Sequence, residues 1–70
     1  MMPDMRLFRL QFLGRSHGPT PNVVEEREVR ASNSAAAIEE LRDAEWPPGA
    51  LSVRLLDADG VVLDERHRTH

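Results

Sequence analysis

The sequence contains no cysteine, no lysine and no tyrosine, and few aromatic residues of any kind. The absence of cysteine excludes disulfides, thiolate zinc sites and cysteine nucleophiles. Because lysine is absent, all nine Lys/Arg-type side chains are arginine. They are scattered along the chain, so we attribute them to a compositional bias rather than to an anion site. No apolar run approaches the ~20 residues that cross a bilayer, and no signal-peptide apolar region is present, so we expect a cytoplasmic protein without membrane contact.

The chain has 70 residues, which predicts a single domain over 1–70 with an ordered core over about 5–66. A domain of this size buries only roughly 60% of the surface of its unfolded chain, so small domains commonly gain stability from disulfides, metals or a partner subunit. Without cysteine, self-association as a homodimer is the common device that remains. The net charge of −3 and a pI near 5.5 weigh against general binding of nucleic acid.

The stretch 6–13 has more apolar bulk on one face than any other stretch and holds both phenylalanines. With the two-residue period of a strand, Phe8, Leu10 and Phe12 point to one side, and the remaining side chains point to the other. We expect this strand to lie at the centre of a sheet. Its second face, with Leu7, Arg9, Gln11 and Leu13, needs a different explanation from the core.

A Gly- and Pro-rich loop over 14–22 leads to a second strand over 23–31. Its alternation predicts Val23, Val29 and Ala31 on the core side, and its many charges are typical of an edge strand. The loop contains Ser16 next to His17, but adjacent residues rarely form a nucleophile and base pair, and the sequence provides no third orienting group.

Residues 35–45 have the composition of a helix, with a capping residue among Ser32, Asn33 and Ser34. The 3–4 residue spacing places Ala37, Ile38, Leu41 and Ala44 on its apolar face. Trp46 precedes a double proline, which ends the helix. We consider Trp46 either a side chain that seals the core or an anchor for a binding partner.

The last two strands are predicted over 50–56 and 61–66, joined by a tight turn at Asp57-Ala58-Asp59-Gly60. Leu51, Val53 and Leu55 are expected to point inward. If Asp57 lies opposite Val61, Leu55 lies opposite Leu63 and the inward side of the hairpin is apolar. The histidines near the C-terminus, His67 and His70, are three residues apart, but two histidines alone make a weak metal site.

The order ββαββ predicts an α+β fold: a two-layer sandwich with a four-stranded, mainly antiparallel sheet and one helix on one face. We expect the strand order 2-1-3-4, because the first strand must be central for its apolar side to be covered.

The pattern resembles that of short uncharacterised bacterial proteins that pair an N-terminal hairpin with a helix and a closing Asp-Gly hairpin. The resemblance implies no activity and no functional residue. It is carried by Phe8-Arg9-Leu10-Gln11-Phe12-Leu13, Val29-x-Ala31, Ala37-Ile38, Trp46-Pro47-Pro48-Gly49-Ala50 and Leu56-Asp57-x-Asp59-Gly60.

The sequence predicts no catalytic residue, no cofactor and no metal site, and we do not expect an enzyme. We expect a protein-interaction or self-associating module that uses the sheet face without the helix. The alternative is a nucleic-acid-binding protein that contacts phosphates through Arg9, Arg30, Arg54 and Arg66, although RNA-binding sheets normally expose aromatic rings. The candidate interaction residues are Leu7, Arg9, Gln11, Leu13, Arg54, Leu56, Arg66 and Trp46.

Overall fold

Four strands and one helix make up the fold in the computed structural model, which describes residues 5–16 and 18–68. The sheet is antiparallel throughout, in the order β2-β1-β3-β4, and α1 packs on one face. This confirms the predicted fold class and strand order. The elements are β1 Arg6–Leu13, β2 Val23–Ala31, α1 Ser34–Asp43, β3 Ser52–Leu56 and β4 Val62–His67.

The core lies between the sheet and the helix, as the period of β1 predicts. Phe12 and Leu55 are fully buried, and Leu41 of α1 is almost fully buried. Small residues complete the contact, because buried alanines at 37 and 50 let the backbone elements approach closely. Burial of large side chains such as these stabilises a fold by roughly 1.5–3 kcal/mol each.

Helix α1 begins where the sequence predicts and ends earlier than expected. The Asn33 side chain accepts a hydrogen bond from the Ala36 N–H at 2.8 Å and is the N-cap. The helix ends at Asp43 rather than at residue 45, because Ala44 already has an extended backbone with φ −68° and ψ 136°. Within the described part of the chain, no helix is long and apolar enough to cross a membrane.

An irregularity at the start of β2 changes the face of one predicted core residue. Phe12 lies opposite Glu25, but Leu13 lies opposite Val23, so Val24 is an extra residue in β2. A bulge of this kind moves the residues beyond it by one position relative to the partner strand. Val23 therefore pairs with a residue of the other sheet face and is 42% exposed. The prediction that it joins the core is wrong.

Strand β3 begins later than predicted, at Ser52, and this changes which residue is buried. Gly49, with φ +87°, follows the double proline in a turn that the hydrogen bond from the Ala50 N–H to the Pro47 carbonyl closes. The turn delivers Ala50 into the core at 0% exposure, whereas Leu51 is 48% exposed. The prediction of an inward Leu51 is wrong, because the alternation of β3 does not extend back to it.

The turn between β3 and β4 is held by Asp57, as its sequence suggests. Its carboxylate oxygen accepts hydrogen bonds from the Asp59 and Val61 N–H groups, both at 2.9 Å. The Asp57 N–H also donates to the Val61 carbonyl at 3.0 Å. Gly60 has φ +85°, a conformation that glycine adopts without strain.

The register of this hairpin differs from the prediction one residue further on. Leu56 lies opposite Val62, but Leu55 lies opposite Asp64 rather than Leu63. Leu63 is an extra residue in β4, and it is partly buried against the core. The bulge shifts every later residue of β4 to the opposite face from the one that simple alternation assigns.

Candidate interaction surface

The sheet face opposite α1 is defined by the residues that alternate with the buried ones. We call it the helix-free face. Its members on the two central strands pair directly: Arg9 with Leu56, Gln11 with Arg54 and Leu13 with Ser52. The complete set is Leu7, Arg9, Gln11 and Leu13 of β1, Val23, Glu26, Glu28 and Arg30 of β2, Ser52, Arg54 and Leu56 of β3, and Val62, Glu65 and His67 of β4.

Most of the candidate residues lie together on this face. Six of those named from the sequence, all on β1 or β3, occupy neighbouring positions there. They are Leu7, Arg9, Gln11, Leu13, Arg54 and Leu56. Because adjacent strands lie about 4.8 Å apart, their side chains form one surface rather than separate patches.

Arg66 does not lie on the helix-free face. It pairs with Val53, whose side chain is fully buried on the helix side of the sheet. Asp64 is likewise opposite the buried Leu55. The predicted placement of Arg66 on the helix-free face is wrong, because the bulge at Leu63 reverses the alternation of β4.

The same bulge brings two unpredicted residues to the helix-free face. Glu65 lies opposite Arg54, and His67 lies opposite Ser52. The His67 Nε2 atom is 2.8 Å from a carboxylate oxygen of Glu65. Sequence reasoning missed both because nothing in the run Val61-Val62-Leu63 distinguishes a bulge from regular alternation.

A chain of polar contacts crosses the helix-free face. Arg54 Nε donates to Gln11 Oε1 at 2.8 Å, and Gln11 Nε2 donates to Glu26 Oε2 at 3.0 Å. The other carboxylate oxygen of Glu26 is 3.3 Å from Arg9 Nε. The Gln11 amide thus uses its acceptor on one neighbouring strand and its donor on the other, which fixes its orientation. These side chains are held in place before any partner arrives.

Apolar side chains stand on either side of this polar chain. Leu7 is 44% exposed and Val62 is 46% exposed, and Leu13 and Leu56 are half-buried. Single exposed apolar residues are ordinary, but several on one face make a surface that gains free energy when a partner covers it.

The charges of the helix-free face balance. Its acidic members are Glu26, Glu28 and Glu65, and its basic members are Arg9, Arg30 and Arg54. Its described residues include no phenylalanine, tyrosine or tryptophan, and its one imidazole ring, that of His67, contacts Glu65. The two phenylalanines are buried on the helix side, and Trp46 also packs against the core there.

Trp46 lies at the end of the core near the end of the helix. Its ring meets Phe12 edge-on, with ring centres 6.2 Å apart and an interplanar angle of 69°. The Arg68 guanidinium lies 5.6 Å from the Trp46 ring centre, and that of Arg27 lies 4.8 Å from the Phe12 ring centre. Arg27 also contacts Glu25 and donates to the Glu45 carbonyl at 3.0 Å. Trp46 therefore belongs to a packed aromatic and arginine cluster remote from the helix-free face.

Two shallow clefts of about 350 and 340 Å³ lie where β1 extends beyond the end of β3. Leu7, Phe8, Asp57 and Ala58 line both. Among the described residues, no group of three or more histidine, aspartate or glutamate side chains is placed to hold a metal ion. Ser16 Oγ is within 3.0 Å of the Gly18 and Thr20 carbonyl oxygens, and His17 and His70 lie outside the described residues.

A scan against protein-family models, a search of curated proteins and a search of solved structures each found no match to this chain.

Proposed function

We propose that this protein is an interaction module that binds another protein through the helix-free face. The observation that carries the proposal is the polar chain from Arg54 through Gln11 to Glu26, flanked by exposed Leu7 and Val62. Contact surfaces of non-obligate complexes combine apolar and polar side chains in this way. The protein acts by binding rather than by catalysis, which is supported by the shallowness of its clefts.

Preorganisation of the face favours binding. A side chain that must be ordered on association costs about 0.5–1.5 kcal/mol. Gln11 bonds to both neighbouring strands, and Arg54 and Glu26 are held by it. A partner that meets these groups therefore loses little affinity to their ordering.

The chemistry of the face describes its partner. The helix-free face has equal numbers of acidic and basic side chains, so it favours a partner whose surface presents both signs of charge beside apolar residues. Such a surface is typical of a protein. A partner that carries many phosphate groups needs an excess of positive charge on the face that binds it. The face has no such excess, and Arg9 is already paired with Glu26. Nucleic acid is also less favoured because the face offers no phenylalanine, tyrosine or tryptophan for base stacking, and its one imidazole ring, that of His67, contacts Glu65. In addition, Arg66 lies on the other side of the sheet.

A matched pair of variants tests the proposal. Leu7→Glu places a carboxylate on the helix-free face, and Leu51→Glu makes the same change at an equally exposed leucine outside the strands. Proteins captured by the wild-type chain from its native lysate are identified, purified and titrated against all three forms. We expect at least one partner whose affinity falls about tenfold or more with Leu7→Glu and is unchanged with Leu51→Glu.

Two results would overturn the proposal. The first is that no captured protein, purified and titrated, discriminates between the two variants. The second is that labelled single- or double-stranded oligonucleotides bind at physiological salt and lose affinity with Leu7→Glu, which would assign the face to nucleic acid.

A further inference from the structure

The two edges of the sheet are built differently. Edge strand β4 has six residues and is interrupted by the bulge at Leu63. Edge strand β2 has nine residues, and its bulge lies at Val24, close to its start. The run 25–31 of β2 is therefore regular along its whole length and pairs with β1 on one side only. Regular edge strands can accept a further strand through their free backbone groups.

The charged side chains of β2 differ in what they already contact. Glu26 bonds to Gln11 and Arg9, and Arg27 bonds to the Glu45 carbonyl. Glu28 and Arg30 are exposed, and within the described residues neither takes part in a side-chain hydrogen bond or an ion pair. These two opposite charges lie on the helix-free side of β2, one residue before and one residue after Val29. The Val29 side chain itself packs against the core on the other side.

This pattern is complementary to itself. We infer that two copies of the chain join antiparallel along β2, with the twofold axis at Val29. In this register Glu28 of each copy lies opposite Arg30 of the other, Val29 lies opposite its own copy, and Arg27 lies opposite Ala31. Opposite charges directly across an antiparallel pair stabilise it, and the symmetry makes each contact occur twice.

The neighbouring registers are worse. An axis at Glu28 places two Glu28 side chains opposite each other and pairs Arg30 with Glu26, which is already held by Gln11 and Arg9. An axis at Arg27 places two arginines opposite each other and pairs Glu26 with Glu28. Like charges directly opposite destabilise a strand pair. Only the axis at Val29 brings the two unengaged charges together without a like-charge contact.

The helix lies over the sheet and not beyond its β2 edge. Helix α1 contacts β2 and β3, the two neighbours of β1, which places it above β1. An axis perpendicular to the sheet keeps both helices on one side and both helix-free faces on the other, in one eight-stranded sheet. Sheets usually have roughly 2–10 strands, so a sheet of that size lies within the ordinary range.

The dimer also enlarges the surface described above. The helix-free face of one chain spans four strands, of which central strand β1 has eight residues. From the spacing and rise of strands, its projected area is at most roughly 500 Å². A standard interface buries about 800 Å² per partner. Two joined faces exceed that value. The inference itself does not rest on the proposed function, because it concerns a different surface.

Light scattering of the full chain over a concentration series tests the inference. We expect wild type to approach twice the chain mass of 7.9 kDa at high concentration. Glu28→Arg and Arg30→Glu each create two like-charge contacts and raise the dimer dissociation constant at least about tenfold. The double variant Glu28→Arg/Arg30→Glu exchanges the charges and restores the dimer, which also excludes misfolding as the cause of the single effects.

A cysteine variant reports the register. Because the chain has no cysteine, Val29→Cys forms a disulfide dimer on oxidation only where residue 29 meets its own copy. Glu28→Cys is the control, since an axis at residue 28 would cross-link it instead. A wild-type chain that is monomeric at every concentration would overturn the inference. So would a dimer that is insensitive to both charge variants, or one that dissociates with Leu7→Glu instead, which would place self-association on the helix-free face.

Discussion

Gln11 and Arg54, neighbours on β1 and β3, share a hydrogen bond of 2.8 Å on the sheet face that no helix covers. The same Gln11 amide donates to Glu26 on the other side. This single residue connects three of the four strands through side chains. It also fixes the arrangement of the surface through which we propose that the protein binds its partner.

The direction of these hydrogen bonds gives the first prediction. Gln11→Glu keeps an acceptor for Arg54 but removes the donor to Glu26 and places two carboxylates together. We expect a loss of about 0.5–1.5 kcal/mol in the free energy of unfolding. Glu26→Gln in the same chain supplies a donor to the new carboxylate and recovers most of that loss.

Urea unfolding of the wild type, both single variants and the double variant measures this coupling as a double-mutant cycle. Additive effects of the two substitutions would contradict the hydrogen-bond chain.

The Trp46 side chain gives the second prediction. Because it packs edge-on against fully buried Phe12 and under Arg68, Trp46→Ala should lower the free energy of unfolding by about 2 kcal/mol, less than the 3–5 kcal/mol typical of a fully buried tryptophan. Trp46→Phe keeps an aromatic edge and should recover about half. Affinity for any partner of the helix-free face should not change at a temperature where both variants are folded. A loss of partner affinity without a loss of stability would instead make Trp46 a binding anchor.

The hairpin turn gives the third prediction. Asp57→Ala leaves the Asp59 and Val61 N–H groups without their carboxylate acceptor and should cost about 1–2 kcal/mol. Asp59→Ala is the matched control, since it removes the same charge from the same turn. We expect it to change stability by less than about 0.5 kcal/mol. Thermal unfolding followed by circular dichroism compares them, and equal effects would show that charge rather than the turn hydrogen bonds matters.

Much of the fold could be predicted because β1 follows the simple two-residue alternation of a strand. The inward side chains Phe8, Leu10 and Phe12 are the buried ones, and the strand order follows from the need to cover them. The helix cap at Asn33 and the turn at Asp57 also follow from local hydrogen-bonding chemistry.

The errors in strand register depend on single extra residues. The bulges at Val24 and Leu63 change the face of Val23, Asp64 and Arg66, and no residue type at either position demands a bulge. Both bulges occur in apolar runs where alternative registers bury similar side chains, so the choice depends on packing across the whole sheet. The predicted placement of the candidate residues on the helix-free face is therefore correct for the central strands, which lie between two partners, and wrong for edge strand β4.

The central claim is that the helix-free face meets another protein, and site-specific photo-cross-linking in the native cell tests it most directly. A photoreactive residue replaces Leu56 on that face in one form of the chain and Arg42 on the outer side of α1 in another. We predict discrete cross-linked protein products from position 56 that are absent from position 42 and reduced when Leu7→Glu is added. Equal labelling at both positions, or none at position 56, would contradict the account.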